Sequence, residues 1–147
     1  MPMTDIALER ARPDDLADVL ALLREQRLPT DDLDRHLDTT LVARKDGRLV
    51  GSVAVEVYAD GGLLRSVAVA GDVQGQGLGR ALTHAALALA RQTGLRTLYL
   101  LTTTAENYFP KFGFETIARD DVPASVRTSV EFTSACPSSA VVMRKAV

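Results

Sequence analysis

Four glycines in close succession, Gly71, Gly75, Gly77 and Gly79, stand between an apolar run from Leu63 to Val69 and a long alanine- and leucine-rich segment that reaches Thr93. Strand, bare loop and helix in that order make a cradle for an anion. Glycine lets the backbone approach a ligand closely, and a helix start offers N–H groups without intrahelical partners, at the positive end of its dipole. A phosphate or pyrophosphate is the expected guest; an ordinary left-handed connection between strand and helix is the plain alternative. The better-known phosphate loops do not fit. No Gly-Lys-Ser/Thr follows the glycines, no lysine stands in the stretch, and in Gly75-Gln76-Gly77-Leu78-Gly79 the third glycine comes too early for a dinucleotide fingerprint.

Other reactive side chains are scattered. Glu56 shares a strand candidate with Tyr58: on an exposed sheet face it is a solvated carboxylate, on a mid-sheet strand a base or an ammonium anchor. Asp31, Asp32 and Asp34 read as helix-end charges, and His84 as a surface histidine off its helix's apolar stripe. Cys136 is the only cysteine, which excludes a disulfide within the chain, a CxxC pair and a multi-thiol metal site, and it reads as a small packed hydrophobe.

The elements that must position these groups follow from periodicity and punctuation. Ile6 to Arg10 reads as a first strand. Pro13-Asp14-Asp15 opens a helix carrying Leu16, Val19, Leu20 and Leu23 and ending before Pro29, after which Thr30 caps a short helix through Leu33 and Leu37. Leu41 to Lys45, a turn at Asp46-Gly47 slightly longer than two residues, and Val50 to Tyr58 form a hairpin, and Asp60-Gly61-Gly62 turns the chain into Leu63 to Val69, so that three strands run antiparallel. Leu78, Leu82, Ala85, Leu89 and Ala90 give the glycine-led helix one apolar stripe, which Gly94 terminates. Thr97 to Leu101 reads as a doubly buried strand returning parallel to Leu63 to Val69 by a right-handed crossover. Two parallel strands that splay after such a crossover leave room for a cofactor. Thr102-Thr103-Thr104 opens a helix over Ala105 to Phe112, capped by Thr104 and kinked or broken at Pro110. A strand follows Gly113, Pro123 opens another helix, and Ala140 to Arg144 is the last strand.

Composition sets the bounds. At 147 residues, 46% hydrophobic, 24% charged and a net charge of -2, residues 1–147 read as a single α/β (α+β) domain able to bury its own core. Nothing basic enough for nucleic acid and no membrane-spanning run is present, no leader is expected, and cytoplasm is the default.

Gln74-x-x-Gly77-x-Gly79-Arg80-Ala81-Leu82, preceded by Arg65-Ser66-Val67-Ala68-Val69, resembles the acetyl-CoA site of the GNAT N-acetyltransferases. The likeness extends in element order from Ile6 to Ile117 and includes Gly113-Phe114. It implies the GNAT fold: a mixed, mostly antiparallel central sheet flanked by helices, with splayed parallel strands at the cofactor site. With Leu100 to Glu106 and the tail from Glu131 to Pro137, the chain resembles the amino-acid N-acetyltransferases, including the acetyltransferase domain of N-acetylglutamate synthases. Leu28-Pro29, Glu56-Val57-Tyr58 and Cys136-Pro137-Ser138-Ser139-Ala140 are similar to the small acetyltransferases named for arsenic-resistance operons.

The resemblance implies acetyl transfer from acetyl-CoA to the primary amine of a small molecule, an amino acid or analogue, without a metal. Val67, Ala68 and Val69 would hold the pantetheine arm as an added strand, the Val69 amide would polarise the thioester carbonyl, and Gln74, Gly75, Gln76, Gly77, Leu78, Gly79 and Arg80 would hold the pyrophosphate. Glu56 is the expected base and Tyr108 the expected acid; Arg65, Thr102 and Thr103 are the expected acceptor contacts, with Arg65 suited to a carboxylate. A core-edge Arg65 reaching out to solvent is the alternative. Three positions depart from the family. Leu63 stands where many members carry a glutamate, Thr102 where an asparagine is frequent, and Phe109 where the tyrosine is usual, with Tyr108 one residue earlier. A protein N-terminal or lysine acetyltransferase and a non-catalytic acetyl-CoA sensor stay open as alternatives, as does a homodimer.

Overall fold

The computed structural model describes residues 6–147. Among these residues seven strands form one sheet in the order β1-β2-β3-β4-β5-β7-β6. They are β1 (Ile6–Arg10), β2 (Thr40–Lys45), β3 (Arg48–Tyr58), β4 (Gly61–Val69), β5 (Thr97–Thr102), β6 (Glu115–Ile117) and β7 (Val141–Ala146). Every neighbouring pair is antiparallel except β4 and β5, which are parallel across the crossover helix. The sheet is the mixed, mostly antiparallel one expected from the sequence.

Helices α1 (Leu16–Glu25) and α2 (Leu78–Gln92) cover one face, where Val19, Leu23, Leu82 and Ala86 pack with Leu64, Leu98 and Leu100 in the main core. Leu63 and Tyr99, one position out of step with those strand residues, point the other way. They pack with Val122, Val126 and Val142 under the short α3 (Ala124–Arg127) and the chain after it. The two-residue period of a strand thus sorts β4 and β5 between two cores. Burial of each of these leucines contributes on the order of 2 kcal/mol.

Several local expectations are corrected. The β2–β3 turn has only two residues, Asp46 and Gly47, with φ of 53° and 78°; both are left-handed, the geometry that matches a hairpin's twist. Leu33–Thr39 is a 3-10 segment led by Asp32 at φ 60°, with no side-chain cap from Thr30. No α-helix spans 105–112: Pro110 supports only the 3-10 turn Phe109–Phe112. The cap belongs to Thr102, whose Oγ1 accepts the N–H groups of Ala105 at 2.8 Å and Thr104 at 3.3 Å. Pro123 precedes α3 rather than opening it. On α2, Ala85 is only half-buried, and Thr83, Ala86 and Leu87 join the packed face. Among the described residues no helix is long and apolar enough to cross a membrane.

Candidate active site

Strands β4 and β5 touch only at their beginnings, where Gly62 faces Leu98 and Leu63 faces Tyr99. That contact is close because Gly62 has no Cβ; one built there would meet Leu95 at 2.5 Å and Leu98 at 2.9 Å. Beyond it the strands part. Between β3 and β4 the register slips, Ala54 facing Arg65 but Ser52 facing Ala68, so that β4 carries an extra residue at a bulge where Ser66 has φ 61°. A bulge bends its strand and strengthens its twist. Ser52 Oγ donates to the Ser66 carbonyl at 2.8 Å and Arg65 Nε donates to Ser66 Oγ at 3.0 Å, which holds the left-handed residue in place.

The gap is a cavity of about 680 Å³, a size typical of ligand sites. Val67, Ala68 and Val69 line it, and no β5 residue pairs with their backbone. At its far end lies the glycine loop. Gly75 and Gly77 have φ of 81° and 86°, and Gly77 is the N-cap of α2. The first intrahelical bond runs from Ala81 N–H to the Gly77 carbonyl, so the N–H groups of Leu78, Gly79 and Arg80 are the unpartnered donors of the helix start. No acidic residue occupies that turn, and the Arg80 side chain is exposed on the cavity wall. Gln74 braces the loop by donating from Nε2 to the Val69 carbonyl at 3.0 Å and to Gln26 Oε1 at 3.2 Å. Gln76 does not line the cavity; its Oε1 is buried without a partner.

Tyr108 and Phe109 divide the aromatic work. Phe109 turns into the core, 8% exposed and 5.8 Å from the Phe114 ring, while Tyr108 lines the cavity. A Cβ built on Gly79 would lie 3.3 Å from the Tyr108 hydroxyl, which places the phenol against the first turn of α2. Thr102 and Thr103 line the same wall.

Glu56 and Arg65 form a buried ion pair, Nη1 to Oε2 at 2.9 Å, with both side chains wholly inaccessible. Neither the solvated reading of Glu56 nor the solvent-reaching reading of Arg65 holds. Glu56 pairs with Leu63 across the sheet, which puts it on the face roofed by α3 and not on the cavity wall. Its Oε1 accepts the Tyr58 hydroxyl, and His36 Nε2 lies 3.6 Å from Oε2. Burial, and then the Glu56 carboxylate, hold the Tyr58 phenol well above its ordinary range. Arg65 lines the cavity, but four of its five N–H groups are committed: to Ser66, to Glu56, to the Asp31 carbonyl at 2.7 Å and to the Pro29 carbonyl at 3.1 Å. It pins the loop after α1, whose Gln26, Arg27, Leu28 and Pro29 form another wall.

Two charged wall residues were not singled out from the sequence as site residues. Arg27, exposed and left-handed at φ 59°, is one. The other is Glu131, 4% exposed, on a π-helical turn Glu131–Ala135, with Oε2 buried and unpartnered. Burial raises its carboxyl above the usual range, Arg65 opposes the shift, and Glu56 adds to it. Cys136 is half-buried beside it on the wall, its thiol pushed up to about 12 by burial and by the Glu131 charge. His84 is exposed and packs edge-on against Phe112 at 5.2 Å, as expected of a surface histidine.

The acetyltransferase (GNAT) domain family matches residues 36–116, more than half of the chain. The chain belongs to that family. The match covers the bulged strand, the glycine loop and α2, and it bears out the acetyltransferase class expected from the sequence. The amino-acid acetyltransferase of Ralstonia nicotianae is 36% identical over 113 residues, which are 76% of this chain and 24% of that protein. The chain thus spans about a quarter of that relative's length. The N-acetylglutamate synthase of Neisseria gonorrhoeae, solved with coenzyme A and N-acetyl-glutamate, shares the fold at a TM-score of 0.82 and 24% identity, over 96% of this chain and 35% of its own. Rv2747 of Mycobacterium tuberculosis, solved with CoA, shares it at 0.80 and 24% over 96% and 99%.

Proposed function

We propose that this GNAT domain transfers the acetyl group of acetyl-CoA to the primary amine of a small acceptor, an amino acid or amino-acid analogue. The observation that carries the proposal is the joining, in one cavity, of an unpaired β4 edge with a helix start whose donors are free. The first offers N–H and C=O groups to the amides of a pantetheine arm as a neighbouring strand would, and the second binds a pyrophosphate. Acetyl-CoA supplies the electrophile, a thioester carbonyl, and a thiolate leaving group. Val67 to Val69 bind and orient the arm, with the Val69 N–H directed at the carbonyl oxygen, and Gly75, Gly77, Leu78, Gly79 and Arg80 bind the phosphates. Tyr108 holds a proton for the departing sulfur. Glu56 acts at one remove: by neutralising Arg65 it fixes the loop that closes the cavity over the acceptor. Thr102, Thr103 and Arg27 offer the acceptor hydroxyls and a cation, which suits a carboxylate. A cytoplasmic setting goes with the proposal.

The relatives favour an amino-acid acceptor, since the Ralstonia nicotianae protein is named for amino-acid acetylation and the Neisseria gonorrhoeae structure contains an N-acetylated amino acid. Release of free thiol from acetyl-CoA is the test, across the amino acids, an arsenic-containing amino-acid analogue, simple amines and a lysine peptide. Release that depends on one class of small amine is expected. Release with the peptide alone assigns a protein acetyltransferase, and tight acetyl-CoA binding without release under any amine assigns a sensor. Tyr108→Phe is expected to lower kcat about a hundredfold or more with acetyl-CoA affinity unchanged. An equal rate would give the proton transfer to water.

A further inference from the structure

We infer that Glu131 is the acceptor-amine site and the base of the reaction: its carboxylate receives the substrate ammonium in the cavity and takes the proton that must leave before attack. The inference rests on the acetyl-transfer reading and names the residue that makes it work.

The argument is one of charge and place. Arg65 and Glu56 cancel each other in a buried pair, so neither presents a net charge to the cavity. The Asp31 side chain belongs to the loop that Arg65 pins, and its carbonyl is already taken. The charged groups that act on Glu131 are Arg65 from β4, Glu56 from β3 and Asp31 from the loop after α1, with the Cys136 thiol on its own turn. With Arg65 and Glu56 cancelling, Asp31 and Glu131 are left as uncompensated negative charges, and of the two only Glu131 lines the cavity. A buried carboxylate with an unpartnered oxygen is costly, and proteins keep such groups where a ligand completes them. An ammonium completes this one: it supplies both the missing charge and the missing donor. The wall on which Glu131 lies is shared with Val67 to Val69, Thr102, Thr103 and Tyr108, so an amine held there shares the cavity with the groups assigned to the thioester and its leaving sulfur.

The step balances without another reagent. One ammonium proton passes to Glu131 Oε2, and the freed lone pair forms the C–N bond at the thioester carbonyl. The C–S bond breaks, and the thiolate takes the proton of Tyr108. The second amine proton and the proton on Glu131 return to solvent and to Tyr108 as the site resets. Burial, which holds the Glu131 carboxyl above its usual range, moves its basicity toward that of the amine it must deprotonate.

Glu131→Gln in the full chain tests this, with acetyl-CoA and the best amino acid of the thiol-release panel. Expected is a fall in kcat/KM of about a hundredfold, an acid-side inflection in the wild-type pH profile that is absent from the variant's, and unchanged acetyl-CoA affinity by calorimetry. Because ionising a carboxyl whose folded pKa is raised costs stability as pH rises, the variant is also expected to melt no lower than wild type at pH 8. Turnover within twofold of wild type at every pH would overturn the inference and leave acetyl transfer standing. If wild type turns over no amine, the reading of the function falls instead, and titration of the amino acid into the acetyl-CoA complex decides the site. Weaker binding to Glu131→Gln than to wild type keeps the ammonium site, and equal binding removes it.

Discussion

Glu56→Ala is expected to cost the fold about 3–5 kcal/mol, because it leaves the Arg65 guanidinium buried without its counter-ion. Three things fail together. The charge on Arg65 loses its compensation in a site with no solvent access, the Tyr58 hydroxyl loses its acceptor, and the loop carrying Pro29 and Asp31 is then held by an uncompensated cation. A loss of that size is a large share of a small domain's stability. Urea denaturation followed by circular dichroism measures it. Glu56→Gln separates structure from chemistry, since the amide keeps an acceptor for Tyr58 while removing the charge. If Glu56 were the base, Glu56→Gln would abolish turnover as well as lower stability; the structure predicts the loss of stability, with turnover falling only as far as the Arg65-pinned loop is loosened.

Gly77→Val is the second large effect. Its φ of 86° strains any β-branched residue, and relief of that strain turns the N–H groups of Leu78, Gly79 and Arg80 away from the loop. Hydrogen bonds to a charged group are worth about 1.5–3 kcal/mol each, so losing one predicts acetyl-CoA binding weakened by roughly 10- to 100-fold. Gly94→Val is the matched control. Gly94 has the same φ of 86°, the space around either added Cβ is open, and Gly94 is remote from the β4–β5 cavity. Calorimetry should show equal destabilisation of the two variants and a loss of acetyl-CoA affinity only in Gly77→Val.

The parts of the fold legible in the sequence are those with local physical causes. Asp46-Gly47 announces its turn because few residues accept two consecutive positive φ angles, and the strand–glycine–helix order from Leu63 to Thr93 announces the cradle because a helix start needs donors exposed and side chains absent. What escaped is set by partners distant in sequence. Glu56 and Arg65 are nine residues apart on adjacent strands, and only the bulge at Ser66 and the roof over that face make their pair a buried one. The alternation in β3 gave no warning, because the sheet is covered on both faces there. Tyr108 was displaced from its usual place only on the assumption of an α-helix. Without that helix, Phe109 supplies the core contact and Tyr108 the cavity contact. Glu131 had no sequence signal of its own: it reaches the cavity because β7 inserts between β5 and β6 and brings the preceding turn back over the parted strands.

The most direct test of the account is a titration of the isotopically labelled chain with acetyl-CoA, followed through backbone amide resonances. The account predicts saturable shifts largest at Val67, Ala68 and Val69 and at Gly75 through Arg80, the unpaired strand edge and the helix start. Saturable binding whose shifts fall elsewhere, such as on the surface hollow between Ala59 to Gly61 and Gly94 to Arg96, would contradict it, as would no binding at all.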